Sequence, residues 1–177
     1  MDIREALLRE HSKANTNQIA QYVGQDQALF AELMGIFLGK DPKLVQRSAW
    51  VVTEVAMLQP ALILPFQPQL VQALMHPLHP AVQRNILKVL AENELPLTEE
   101  TEGEILNLCF DLLPNPQIPV AIRVHAMQYI ANLLPRYPDL AIELRPILED
   151  GMEEGSAGFK SRGKKILKLI SKLEQAH

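Results

Sequence analysis

The chain has 177 residues, 47% of them hydrophobic, and a formal charge of −4 from 17 Lys plus Arg against 21 Asp plus Glu. That length and apolar content suit one continuous domain with an ample core. The negative balance argues against a broadly basic groove for duplex nucleic acid, and a lone cysteine excludes an internal disulfide. Aromatic residues make up only 5% of the chain, so packing between elements falls to Leu, Val, Ile and Ala.

Taken in chain order, the apolar periodicity predicts helices at about 2–10, 15–23, 26–38, 42–58, 62–75, 80–93, 98–113, 119–134, 138–152 and 157–174, and nothing reads as a strand. The opening MDIREALLRE is charged and amphipathic without the apolar stretch of a secretory signal. No later segment nears the roughly 18 uninterrupted apolar residues of a membrane span, so a cytoplasmic protein with no membrane partner is expected. Asp41 with Pro42, and His79 with Pro80, place proline at a first helical position, where its missing N–H costs nothing and Asp41 can cap the amides behind it. Trp50, in VQRSAWVVTEVA, is flanked by apolar positions that suit packing between helices. Pro65, Pro68 and Pro146 are expected to kink or interrupt the helices they fall in or beside, because each removes a backbone bond. The carboxylates of Glu99, Glu100, Glu102 and Glu104 suit the positive end of the helix after Thr98. Cys109, within EILNLCFDLL, reads as a buried inert thiol.

The elements repeat. A turn, often with proline, followed by an amphipathic helix returns roughly every 37 to 40 residues: DPKLVQRSAWVV from Asp41, HPAVQRNILKVL from His79, IPVAIRVHAMQYI from Ile118 and SAGFKSRGKKIL from Ser156. Aligning Val45, Val82, Ile122 and Phe159 also aligns Ala49, Ile86, Ala126 and Gly163, then Val52, Val89, Tyr129 and Ile166, all at i, i+4, i+7 spacing. At an offset of about two repeats, Pro60, Pro68 and Arg84 recur as Pro138, Pro146 and Arg162, which pairs PALILPFQPQLVQALM with PDLAIELRPILEDGM. Four helix pairs are expected, at 26–58, 60–93, 97–134 and 138–174, behind an N-terminal cap at 1–25.

A kinked first helix, a short turn, then Val, a basic residue and Ala on the second helix resembles a HEAT repeat. Ile122, Arg123 and Ala126 match best, Arg47 and Arg84 sit one place later, and the copy with Phe159, Arg162 and Gly163 is looser, as suits a terminal repeat. The opening REHSKANTNQIAQYVG and closing SAGFKSRGKKILK resemble those of short bacterial HEAT-like proteins. The resemblance implies an all-α, right-handed α–α superhelix of the HEAT/armadillo-like class. It also implies a non-enzymatic scaffold that binds a protein in a groove lined by second helices, with Arg47, Arg84, Arg123 and Arg162 on one wall. A structural ladder, in which those arginines bond the turns of neighbouring repeats, is the competing reading.

Enzymatic and cofactor readings are weaker. GFKSRGKK, from Gly158, fits GxxxxGK but puts Lys165 where a phosphate-binding loop needs Ser or Thr. His76 and His79 have no further ligand close in sequence, so neither nucleotide nor metal is expected. HEAT-like alkylpurine DNA glycosylases are an alternative that would set Trp50 in a basic cleft, which the net charge disfavours. More persistent is the C-terminal helix, where Lys160, Lys164, Lys168 and Lys172 recur every fourth residue beside Arg162 and Lys165. From residue 157 onward there are six Lys plus Arg against Glu174 alone, while the remainder has eleven against twenty. Such a stripe is either the polar outer face of a terminal repeat or a seat for a phosphate, an RNA or DNA backbone, or an acidic peptide.

Overall fold

The computed structural model describes residues 1–77 and 79–176. They form α1 (Ile3–Arg9), α2 (Lys13–Val23), α3 (Gln27–Phe37), α4 (Pro42–Leu58), a 3-10 stretch (Pro60–Phe66), α5 (Gln67–Met75), α6 (Pro80–Glu92), α7 (Glu99–Leu112), α8 (Val120–Leu133), α9 (Leu140–Glu154) and α10 (Ala157–Ala176), with no strand among the described residues. Side chains start most of these helices by accepting the amides that have no helical partner. The Asp41 carboxylate accepts from the N–H groups of Lys43 and Leu44 at 2.9 and 3.1 Å, just ahead of Pro42. His79 does the same job with an imidazole, its Nδ1 accepting from the Ala81 N–H at 3.0 Å.

The prolines act in two ways. After α4 the chain turns by 119° into Pro60–Met75, which begins as a 3-10 helix containing Pro65 and becomes α-helical at Gln67, with Pro68 in the first turn. There the absent N–H falls where an α-helical bond is missing anyway. Pro146 does not interrupt its helix, since α9 continues from Leu140 to Glu154 with the proline inside it. The carbonyl that loses its donor belongs to Ile142, which is 78% exposed, so water can take over the bond and the helix continues. The two segments paired in sequence by the two-repeat offset therefore start differently, one as a 3-10 turn and one as an α-helix.

The chain divides into two compact units, Met1–Leu95 and Pro96–His177. In the first, α4 is the hub, packing on α1, α2, α3, α6 and the 3-10 stretch, while α5 lies on α6. In the second, α8 packs on α7, α9 and α10, and α9 lies on α10. The four second helices of the predicted pairs are thus α4 and α6, side by side in the first unit, and α8 and α10, side by side in the second.

The repeat register holds at every aligned position: Val45, Val82, Ile122 and Phe159, then Ala49, Ile86, Ala126 and Gly163, then Val52, Val89, Tyr129 and Ile166 are all buried. Each large aliphatic in that set contributes about 1.5–3 kcal/mol of burial free energy. One polar pair lies inside the first core. The Thr53 hydroxyl on α4 stands 2.8 Å from the Asn85 Oδ1 on α6, while the Asn85 amide donates to the Ala81 carbonyl at 2.8 Å. In the second unit, Phe159 fits only because two residues facing it have no side chain. A Cβ on Gly151 would stand 2.4 Å from its ring, and one on Gly155 would stand 2.2 Å from the Gly151 carbonyl oxygen.

Candidate binding face of the second helices

The second helices are packed on most sides, so what each leaves to solvent is a narrow line of side chains at i, i+4, i+8 spacing. On α6 the line is Arg84, Lys88 and Glu92, on α8 Val124, Gln128 and Asn132, and on α10 Lys164, Lys168 and Lys172. On α4 it is half-buried and runs Arg47, Trp50 and Glu54, at i, i+3, i+7 spacing.

The four arginines occupy different surroundings. Arg47 reaches across to the last turn of α1, where its Nη1 donates to the carbonyls of Leu7 and Leu8 at 2.8 and 2.9 Å. Those carbonyls have no helical donor, and a cation there also suits the negative end of the helix dipole. Arg123 closes α7 in the same manner, its Nε donating to the Leu113 carbonyl at 2.7 Å, with its guanidinium 4.6 Å from the centre of the Phe159 ring. Burial there pushes the Arg123 guanidinium below its ordinary value. Arg162 donates from Nη1 to the Gln128 side chain on α8 at 2.5 Å. Arg84 is exposed and makes no hydrogen bond or ion pair among the described residues.

The C-terminal lysines also separate. Lys160 is half-buried and its Nζ donates to the Glu153 carbonyl at the end of α9, 3.1 Å away. Lys164, Lys165, Lys168 and Lys172 are exposed. Glu174, the carboxylate on α10, is held at 2.5 Å by Arg145 from α9. The sequence GFKSRGKK lies inside α10 and forms no loop that could wrap a phosphate.

Trp50 is half-buried on α4, with the exposed His11 ring edge-on to it at 5.9 Å between centroids. Cys109 is fully buried, and that burial pushes its thiol well above the usual thiol range. Among the described residues no three His, Cys, Asp or Glu side chains come together to hold a metal ion, and no single helix is long and apolar enough to cross a membrane. Two features escape sequence reasoning. A cavity of about 370 Å³ opens between the end of α3, α5 and the start of α6, lined by Leu38, Gln69, Gln72, Ala73, His76 and Val82. The Tyr129 hydroxyl is buried and has no hydrogen-bond partner among the described residues.

A family model described as a HEAT repeat domain matches residues 3–170, and the chain belongs to the HEAT-repeat family. Neither a curated protein nor a solved structure gives a significant match.

Proposed function

We propose that this chain is a non-enzymatic scaffold that holds a protein partner along the solvent lines of its second helices. HEAT repeats are, as a family, helical scaffolds that mediate protein–protein contacts. The observation that carries the reading is the division of labour among the basic residues. Arg47 and Arg123 are committed to closing neighbouring helices, whereas Arg84 and the lysines 164, 165, 168 and 172 of α10 remain in solvent. Within the first unit, contact with a partner therefore falls to Arg84 and Lys88 on α6, and within the second to Val124 on α8 and the line Lys164, Lys168 and Lys172 on α10. Arg47, Arg123 and Arg162 set the positions of those lines instead of reaching outward.

A duplex-binding repair function has less support, because Trp50 is half-buried with its ring edge-on to His11 and the chain's net charge is −4. Site-specific photo-crosslinking in the native cell tests the scaffold reading. A crosslinking residue at Lys88 or Val124 should capture a partner protein, and one at Leu64 or Ile142, exposed on first helices, should not. Capture confined to residues 64 and 142 would refute the assignment of the face.

A further inference from the structure

The lysines of α10 form a more specific surface than a polar end to the molecule requires. At about 100° per residue, the exposed side of α10 is made of Ser161, Lys164, Lys165, Lys168, Lys172 and Gln175, all within an arc of about 100°. From Lys164 to Lys172 the line is about 12 Å long. The opposite side packs into the second unit, where Phe159, Ile166 and Ile170 are buried and Leu167, Leu169 and Leu173 flank them half-buried, so the exposed side of α10 is polar. Its own carboxylate is turned away: Glu174 lies toward α9 and is taken by Arg145. Among the described residues no carboxylate stands within 4.0 Å of any of the four lysines. Like charges at i, i+4 repel one another, so the protein maintains this line at a small cost in its own stability.

We infer that the exposed face of α10 is a docking strip for an acidic segment of a partner protein. The inference rests on the scaffold reading above and narrows it to a partner chemistry. Two observations favour a peptide over a nucleic acid. The strip carries no aromatic side chain on which a base could stack, and its arginine, Arg162, is turned inward to Gln128. Outside α10 the chain is predominantly acidic, with eleven Lys plus Arg against twenty Asp plus Glu in residues 1–156, so a polynucleotide backbone longer than the strip would meet net negative charge.

Fluorescence anisotropy at physiological salt tests this with labelled decaglutamate, decaglutamine and oligo-dT of equal length as probes. The full chain should bind decaglutamate in preference to both others. The variant carrying Lys164→Gln, Lys168→Gln and Lys172→Gln should bind it about tenfold more weakly. A charge-matched control with Arg4→Gln, Lys13→Gln and Lys40→Gln should stay within about twofold of the parent. Thermal melting of both variants confirms that they are folded. Equal weakening in the two variants would reduce the effect to net charge and overturn the strip. Preference for oligo-dT, lost in the lysine variant, would overturn the peptide assignment in favour of nucleic acid. Either failure leaves crosslinking at Lys88 and Val124 as an independent reading of the scaffold itself.

Discussion

Replacing Tyr129 by Phe should stabilise the protein. Tyr129 occupies the position held by Val52, Val89 and Ile166 in the other copies, is only 5% exposed, and buries a hydroxyl with no partner among the described residues. Burying an unsatisfied hydroxyl costs about 1–3 kcal/mol, and Phe keeps the ring while removing that cost. A gain of about 1 kcal/mol is expected at neutral pH, a rise in Tm of roughly 2–4 °C for a chain of this size. The effect should grow in alkali. Burial pushes the Tyr129 phenol up, with Cys109 and Glu102 adding to the rise and Arg136, which is ion-paired to Glu102, opposing it. A folded-state value above the unfolded one means the stability is whole below the unfolded tyrosine value of about 10 and is lost as pH rises beyond it. The parent should therefore weaken between about pH 10 and 11 by up to about 1.4 kcal/mol more than Tyr129→Phe. Urea titrations at pH 7 and in that range measure both, with Tyr22→Phe, at a 40% exposed site, as a control near zero. A loss of more than about 0.5 kcal/mol in Tyr129→Phe at pH 7 would show that the hydroxyl is bonded in solution and refute the reasoning.

Glycines at two positions on facing helices should respond in opposite senses. A Cβ at Gly163 meets Met152 and Leu148 at 3.4–4.0 Å, so Gly163→Ala should gain about 0.5–1 kcal/mol by helix propensity, whereas Gly151→Ala, with its Cβ 2.4 Å from the Phe159 ring, should lose about 1–3 kcal/mol. Calorimetric melting of the two variants separates them, and a stable Gly151→Ala would mean that Phe159 is not seated as described. Arg47→Met should cost about 1–2 kcal/mol through its two lost bonds to α1, and Arg84→Met less than about 0.5 kcal/mol. Equal costs by urea denaturation would contradict the different surroundings of the two side chains. Cys109 should resist iodoacetamide at pH 8 in the folded protein and react at the rate of unfolding, because its thiol is buried and held neutral. Rapid alkylation would place the thiol at the surface.

How much of this was legible in the sequence depends on whether a property is local. The span 42–58 coincides with α4 because Asp41 and Pro42 start it and the apolar period carries it through to Leu58. The aligned core positions follow from the same period. The fate of the arginines was not legible: Arg47 and Arg84 share an offset in their copies, yet α1 brings free carbonyls to the first alone. Nor was the seat of Phe159, since Gly151 and Gly155 lie on the preceding helix and in the turn after it, and matter only once α9 meets α10. The four-residue spacing groups Lys160 with the later lysines. Each step of four advances about 40° around a helix, so by Lys172 the line has rotated about 120° away from it. Lys160 consequently finds the end of α9 while the others find water.

A chain made of similar helix pairs has to avoid joining the wrong ones, because one amphipathic helix can bury its apolar face against several others almost equally well. The pair of Thr53 and Asn85 breaks that degeneracy. In the aligned register the places of Asn85 and Thr53 are held elsewhere by residues such as Ser48 or Arg162 and Leu90 or Ile130, none of which repeats the same match of hydroxyl to amide. If α4 docked on another second helix, or α6 slipped by a turn, the buried Asn85 Oδ1 would lose its partner at a cost of about 1–3 kcal/mol, while the Thr53 hydroxyl would keep its bond to the Ala49 carbonyl. The bond therefore acts as an address: it adds little to the strength with which α4 and α6 adhere, and it favours their pairing over that with the other second helices.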